Sequence, residues 1–188
     1  MVIFLLLGFN DFGLIHDFVD RVKNEGSIHD SSFDKNTLKK GEAIISRVID
    51  GDTVMVINPD GKEERVRLLL IDTPESVHPT EPEQKFGKEA SDFAKKYLKQ
   101  GLKVTLERGN PEKDKYDRTL GYIFVDGVNF NELMLEKGYA RIAYVYEPST
   151  KYLYAFKKAQ KRAKQQRMNI WSIPGYVTES GFDMSVVE

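Results

Sequence analysis

EAIISRVIDGDTVMVINPDGKEERVRLLLIDTPE, residues 42–75, is the stretch whose reading decides the fold. It holds three aliphatic-rich runs, 42–49, 53–58 and 63–71, separated by Asp-Gly-Asp and by Asn-Pro-Asp-Gly. β-Branched runs bounded by such turn residues read as strands, and connections this short join antiparallel neighbours. The stretch is therefore a three-strand meander. In its third run, alternation places Val66, Leu68 and Leu70 on one face and Arg65, Arg67 and Leu69 on the other. The turn after the first strand and the end of the third lie at the same end of a meander. Asp52 and Asp72 are thus expected to converge, twenty residues apart in the chain.

Outward from the meander, residues 75–85 form a proline-containing loop. A helix follows, with Phe86, Ala90, Phe93 and Tyr97 at helical spacing and an end near Gly101. LKVTLE (102–107) alternates as a fourth strand, RGNPEKDKYDR (108–118) reads as a charged loop, and TLGYIFV (119–125) as a fifth strand. Helices are expected over 129–138 and 149–167, with an extended segment at 141–146 in which Tyr144 and Tyr146 share a face. Five strands with a helix between the third and fourth suit an α+β fold: a five-stranded Greek-key barrel, the OB-fold, with about three helices.

The ends differ in character. Residues 1–24 are a hydrophobic extension, expected to be helical through Phe9, Phe12, Ile15, Val19 and Val22. Its opening MVIFLLLGF is too short to span a bilayer and lacks a basic leader, so it reads either as the stub of a membrane-associating segment or as a docked helix. Residues 25–41 are a polar linker, 42–172 the domain, and 173–188 an acidic C-terminal tail. The net charge of −1 conceals 23 basic against 20 acidic residues over 41–172, a mildly basic middle that permits a polyanionic partner.

With no cysteine and three histidines, disulfide frameworks and thiolate metal sites are excluded, and a bound metal would be a hard, oxygen-liganded one. Asp52 and Asp72 with backbone oxygens could hold such a cation weakly, and a phosphate would complete it. Arg67 and Arg118 are suited to a phosphodiester clamp, because guanidinium donates two parallel hydrogen bonds. Glu75 is a candidate base for water. Tyr116, Tyr144 and Tyr146 are candidates for stacking on bases. Taken singly, each of these residues reads first as a turn or loop acid, a surface arginine or a packing tyrosine. KKAQKRAKQQR (157–167) carries six basic residues and no acid, and reads as a solvated helix face complementing the helix dipole.

IDGDTV (49–54), RLLLIDTPE (67–75), FGKEAS (86–91), DKYDRTLGYIFVDG (114–127), VNFNELMLEKGYARIAYVY (128–146) and NIWS (169–172) together resemble the staphylococcal nuclease, or thermonuclease, family over about 42–172. The resemblance implies an OB-fold, calcium-dependent phosphodiesterase cutting DNA and RNA, preferentially single-stranded or frayed, to 3′-phosphate and 5′-hydroxyl ends. It implies calcium at Asp52, Asp72 and the Thr73 carbonyl, with Asp50 just outside that shell. Glu75 would activate the attacking water, Arg67 and Arg118 would bind phosphate, and Lys115, Tyr116 and Tyr144 would contact the nucleotide. A secreted or cell-surface bacterial protein is implied, although a cytoplasmic one could share this composition. A non-catalytic nucleic-acid-binding module on the same barrel is the alternative. Two departures stand out. Asp117 replaces a glycine of the reference nuclease, and the 76–85 loop is more acidic than the family pattern.

Overall fold

The computed structural model describes residues 38–76 and 83–187. The expectations for the 1–24 extension and most of the linker lie outside the described residues. Among those described, no helix is long and apolar enough to cross a membrane.

The meander is present as β1 (Glu42–Val48), β2 (Thr53–Ile57) and β3 (Glu63–Leu68). The sheet continues through β5 (Lys103–Lys113) and β6 (Thr119–Val125). β1 pairs with both β2 and β5, β5 with β6, and β6 returns to pair with β3 in parallel, Val66 opposite Thr119. That last pairing closes a five-stranded mixed barrel. Closure removes the exposed edges that an open sheet would leave. Ile45, Val54, Val56, Val66, Leu68 and Ile123 fill it, each at most 1% exposed. Helices α1 (Gly87–Tyr97), α2 (Phe130–Glu136) and α3 (Leu153–Gln165) complete the α+β fold. Two short strands, β4 (Ile71–Asp72) and β8 (Arg141–Ile142), pair outside the barrel sheet, and β7 (Val128–Asn129) extends it beside β6.

Three local expectations are corrected. The third strand ends at Leu68 rather than residue 71, because Leu70 takes a left-handed conformation at φ 63°. This reversal, uncommon for a non-glycine residue, breaks the two-residue alternation. Leu68, Leu69, Leu70 and Ile71 are consequently all buried. The fourth strand runs to Lys113, so the loop expected over 108–118 shrinks to 114–118. Its outer half is largely exposed, which explains why its composition reads as loop. Finally, strand β8 ends at Ile142 and Tyr144 is left-handed at φ 53°, so the extended alternation expected over 141–146 fails.

Asn131, fully buried, bolts α2 to the barrel. Its Oδ1 accepts from the Ile123 N–H, and its Nδ2 donates to the carbonyls of Leu69 (3.0 Å) and Gly121 (3.3 Å). The Leu69 carbonyl it satisfies lies in the irregular stretch after β3, where the regular ladder no longer serves it. Residues 173–187, read as an acidic tail, pack against the domain. Tyr176 is completely buried, its hydroxyl donates to the Lys85 carbonyl, and its ring meets those of Phe86 and Phe182.

Candidate active site

The turn after β1 is built to bring acids against the end of β3. Ile49 and Asp50 N–H groups both donate to the Thr53 carbonyl, and the Asp50 carboxylate accepts from the Asp52 N–H. The Leu68 N–H then donates to the Asp52 carbonyl at 2.8 Å, tying this turn to β3. Gly51 permits the approach: a β-carbon there would come within 2.8–2.9 Å of the Thr73 side chain. The tight Asp-Gly-Asp turn is thus packed directly on the segment after β4.

The expected convergence of Asp52 and Asp72 occurs, and Arg67 lies between them. Its Nη2 stands 3.0 Å from Asp52 Oδ2 and 3.7 Å from Asp72 Oδ1. Its Nη1 donates to the carbonyls of Leu68 (2.8 Å) and Ile71 (2.9 Å), so the guanidinium is anchored to backbone on one side. Arg67 is only 11% exposed, and its face is not the open surface that strand alternation suggests. The reversal at Leu70 is what folds the Ile71 carbonyl back to within its reach. Thr73 donates to Asp52 Oδ2 from both its backbone N–H and its hydroxyl, while the Thr53 hydroxyl donates to Oδ1.

Negative charge is concentrated here. Burial, followed by the charge of Asp52 with a contribution from Glu75, pushes the Asp50 carboxyl up to about 6. Asp72 is also pushed up, first by burial and then by Asp52, against the opposing pull of Arg141 and Arg67. Glu75 is held by its backbone: its N–H donates to Gln84 Oε1 and its carbonyl accepts from the Gln84 N–H, both at 2.9 Å. The same carbonyl lies where a β-carbon on Gly87 would be, so the start of α1 seats directly on Glu75.

Tyr144 lies against this centre, whereas Lys115, Tyr116 and Arg118 gather with Asp114 in the 114–118 loop. The Arg67 guanidinium sits 5.6 Å from the Tyr144 ring centroid. Lys115 and Arg118 both approach the Tyr116 ring, at 4.9 and 5.5 Å. Asp114 organises that loop: its carboxylate accepts from the N–H groups of Tyr116 and Arg118 and from Arg118 Nε at 2.7 Å. The loop leads into β6, whose parallel register sets Thr119 beside Val66 and Leu120 beside Arg67. Arg118 is the last residue of that loop, immediately before the strand that adjoins the one carrying Arg67. Tyr116 and Tyr144 are 68% and 56% exposed, leaving ring surface open to a partner. Asp117 occupies a left-handed position at φ 61°, where glycine is unstrained and Asp is among the better-tolerated alternatives. Its carboxylate accepts from Lys113 at 2.6 Å, so the added charge is locally paired.

Among the described residues, no group of three or more His, Cys, Asp or Glu side chains is gathered tightly enough to hold an ion alone. The donor set nevertheless suits a hard cation. Two carboxylates and the Thr73 backbone offer only oxygen, and the mutual repulsion of Asp52 and Asp72 is what a divalent ion would relieve. Four positions carry structure here that sequence reasoning misses. Gln84 brackets Glu75 and Asn131 fastens the Leu69 carbonyl. Arg141 Nε donates to Asp72 Oδ2 at 2.8 Å, and Tyr176 braces the Lys85 backbone.

The family model described as staphylococcal nuclease homologue matches residues 65–173. Among curated relatives, endonuclease YncB of Bacillus subtilis (strain 168) is 43% identical over 150 residues, covering 79% of this chain and 70% of that protein. The SPbeta prophage-derived endonuclease YokF of the same strain is 43% identical over 148 residues, 78% of this chain but 49% of that longer protein. A thermonuclease of Staphylococcus intermedius is 42% identical over 151 residues, covering 80% of this chain and 86% of its own length. A closed barrel bearing this site, with these relatives, defines a hydrolase of the nuclease class. The chain belongs to the staphylococcal nuclease family.

Proposed function

We propose that the protein is a calcium-dependent phosphodiesterase that hydrolyses DNA and RNA, leaving 3′-phosphate and 5′-hydroxyl ends. The observation that carries this reading is the Arg67 guanidinium held between Asp52 and Asp72 at the barrel end, with Glu75 close enough to act on Asp50. Asp52, Asp72 and the Thr73 carbonyl would hold a calcium ion, which when bound supplies Lewis-acid polarisation of the phosphate.

The chain's own groups do the rest. Arg67, anchored through Nη1 to two carbonyls, presents a preoriented donor to a phosphate oxygen. Preorganised donors of this kind stabilise the charge that develops as phosphorus accepts its fifth oxygen. Arg118, whose Nε is committed to Asp114, offers its terminal nitrogens from the loop that leads into the adjoining strand. Glu75 takes the proton of the attacking water. Asp50 supports Asp52 through the turn backbone. Lys115 contacts a terminal phosphate, and the exposed rings of Tyr116 and Tyr144 stack on bases. Stacking platforms of this type favour single-stranded or frayed substrate over an intact duplex, whose bases are already stacked. The family resemblance supports a secreted or cell-surface location, which fractionation of the producing bacterium tests.

Digestion of single-stranded DNA by wild type and Glu75→Gln, with end-group analysis of the products, tests the reading. The expected result is 3′-phosphate ends from wild type and a large loss of rate in Glu75→Gln. Full calcium-dependent activity in Glu75→Gln would remove Glu75 from the mechanism. Binding of DNA by wild type without cleavage would make the protein a binding module.

A further inference from the structure

The segment after the NIWS motif, almost wholly beyond the family-model match at 65–173, reaches the candidate site by two routes. It folds as a small hairpin. Val177 bridges Phe182, the Thr178 N–H donates to the Gly181 carbonyl, and the Asp183 N–H donates to the Tyr176 carbonyl.

The first route runs through Arg141. Its Nη1 donates to the carbonyls of Thr178 (3.4 Å) and Glu179 (3.1 Å), and its guanidinium lies 5.7 Å from the centroid of Phe182. Held in this way, it directs Nε at Asp72 Oδ2, 2.8 Å away, across the β4–β8 pair in which Asp72 and Arg141 are direct partners. Arg141 is 8% exposed and borders an open cleft lined also by Gln160, Lys164 and Trp171, so its contacts with the hairpin, more than enclosure, hold the guanidinium in place. The second route runs through Tyr176. Its hydroxyl donates to the Lys85 carbonyl and its ring packs on Phe86, next to the Gln84–Gly87 backbone on which Glu75 rests.

We propose that the 176–183 hairpin is a clasp that positions the site: through Arg141 it fixes the Asp72 carboxylate, and through Tyr176 it fixes the backbone under Glu75. Arg141 acts through Asp72 and contacts no substrate, so it is a positioning residue. With Oδ2 taken by Arg141, the carboxylate cannot swing freely, and Oδ1 remains turned toward Arg67. Groups that orient a metal ligand from outside the coordination sphere alter affinity roughly 10–100-fold when removed. Rotation of Asp72 is the motion the clasp prevents.

This inference rests on the calcium reading above, and its test separates the two. Arg141→Lys and Phe182→Ala both conserve the positive charge near Asp72, so a change in calcium affinity reports positioning rather than lost repulsion between cations. Ile45→Val, in the barrel core, serves as a control for general destabilisation. Calcium is titrated into each metal-free protein and followed by backbone amide NMR signals, with the unfolding midpoint recorded in parallel. The expected result is affinity weakened about tenfold or more in Arg141→Lys and Phe182→Ala, with the control within about twofold of wild type. Should Arg141→Lys not fold, Phe182→Ala alone decides. Wild-type affinity in Phe182→Ala, or an equal loss in Ile45→Val, overturns the clasp while leaving the calcium site standing. Absence of calcium binding in wild type overturns both.

Discussion

Replacing Arg67 by Lys separates its structural duty as a strut from its proposed duty as a phosphate donor. The guanidinium serves four partners: the Leu68 and Ile71 carbonyls through Nη1, and Asp52 and Asp72 through Nη2. An ammonium is a single point on a flexible stem and cannot reach both sides at once. If it follows the carboxylates, two nearly buried carbonyls lose a charged donor, at about 1.5 kcal/mol each or somewhat more. A loss of about 3 kcal/mol leaves a domain of ordinary stability, roughly 5–15 kcal/mol, still folded at 25 °C. The rate should fall much further than the folded fraction. Losing one preorganised donor to a developing oxyanion costs about 10²–10³, equivalent to roughly 3–4 kcal/mol of barrier. Urea unfolding measures the first quantity. Single-turnover cleavage of a single-stranded oligonucleotide at saturating calcium and 25 °C measures the second. A variant destabilised as expected but cleaving within about tenfold of wild type would refute the donor role, because the expected loss is 10²–10³. Arg67 would then be a strut only.

Other outcomes follow from the same geometry. Asp50, pushed from an ordinary value near 3.8 to about 6, binds a proton more tightly folded than unfolded. Its ionisation therefore destabilises the calcium-free protein as pH rises through about 4 to 6. Asp50→Asn, which can still accept from the Asp52 N–H, should stabilise the calcium-free protein at pH 8 by about 1–3 kcal/mol and give little advantage at pH 4. Urea titrations of both proteins in EGTA would contradict this if the advantage were the same at both pH values. Asn131→Ala leaves the Ile123 N–H and the Leu69 and Gly121 carbonyls without their shared partner in the interior. It should cost about 3 kcal/mol or more, read as a lower urea midpoint, and a loss under about 1 kcal/mol would show that those groups re-pair.

Much of this site is legible before any coordinates, and the reason is local. Strands β1 to β3 are joined by short turns of Asp, Gly, Asn and Pro, so their register and the meeting of Asp52 with Asp72 are set by chain geometry. The reversal at Leu70 is different. Nothing in RLLLID marks a left-handed residue, and the conformation goes with the burial of three further aliphatics, Leu69, Leu70 and Ile71, after the barrel strand ends at Leu68. The outer half of β5 hides for the opposite reason: its pairing with β6 is real, but exposure gives it the composition of a loop. Arg141 is the least legible, because two of its anchors are the backbone carbonyls of Thr178 and Glu179. A carbonyl has no side-chain signature, and these lie 37 and 38 residues further along the chain. Tyr176 meets Lys85 in the same way, across 91 residues.

We propose that oxygen ligands at the Asp52–Asp72 end of the barrel make phosphodiester cleavage depend on calcium. The most direct measurement is the initial rate of single-stranded DNA digestion by the full chain, with calcium and then with EGTA in excess. A rate that rises to saturation with calcium and collapses in EGTA is the predicted result. Equal cleavage in the two conditions would contradict a calcium-dependent mechanism.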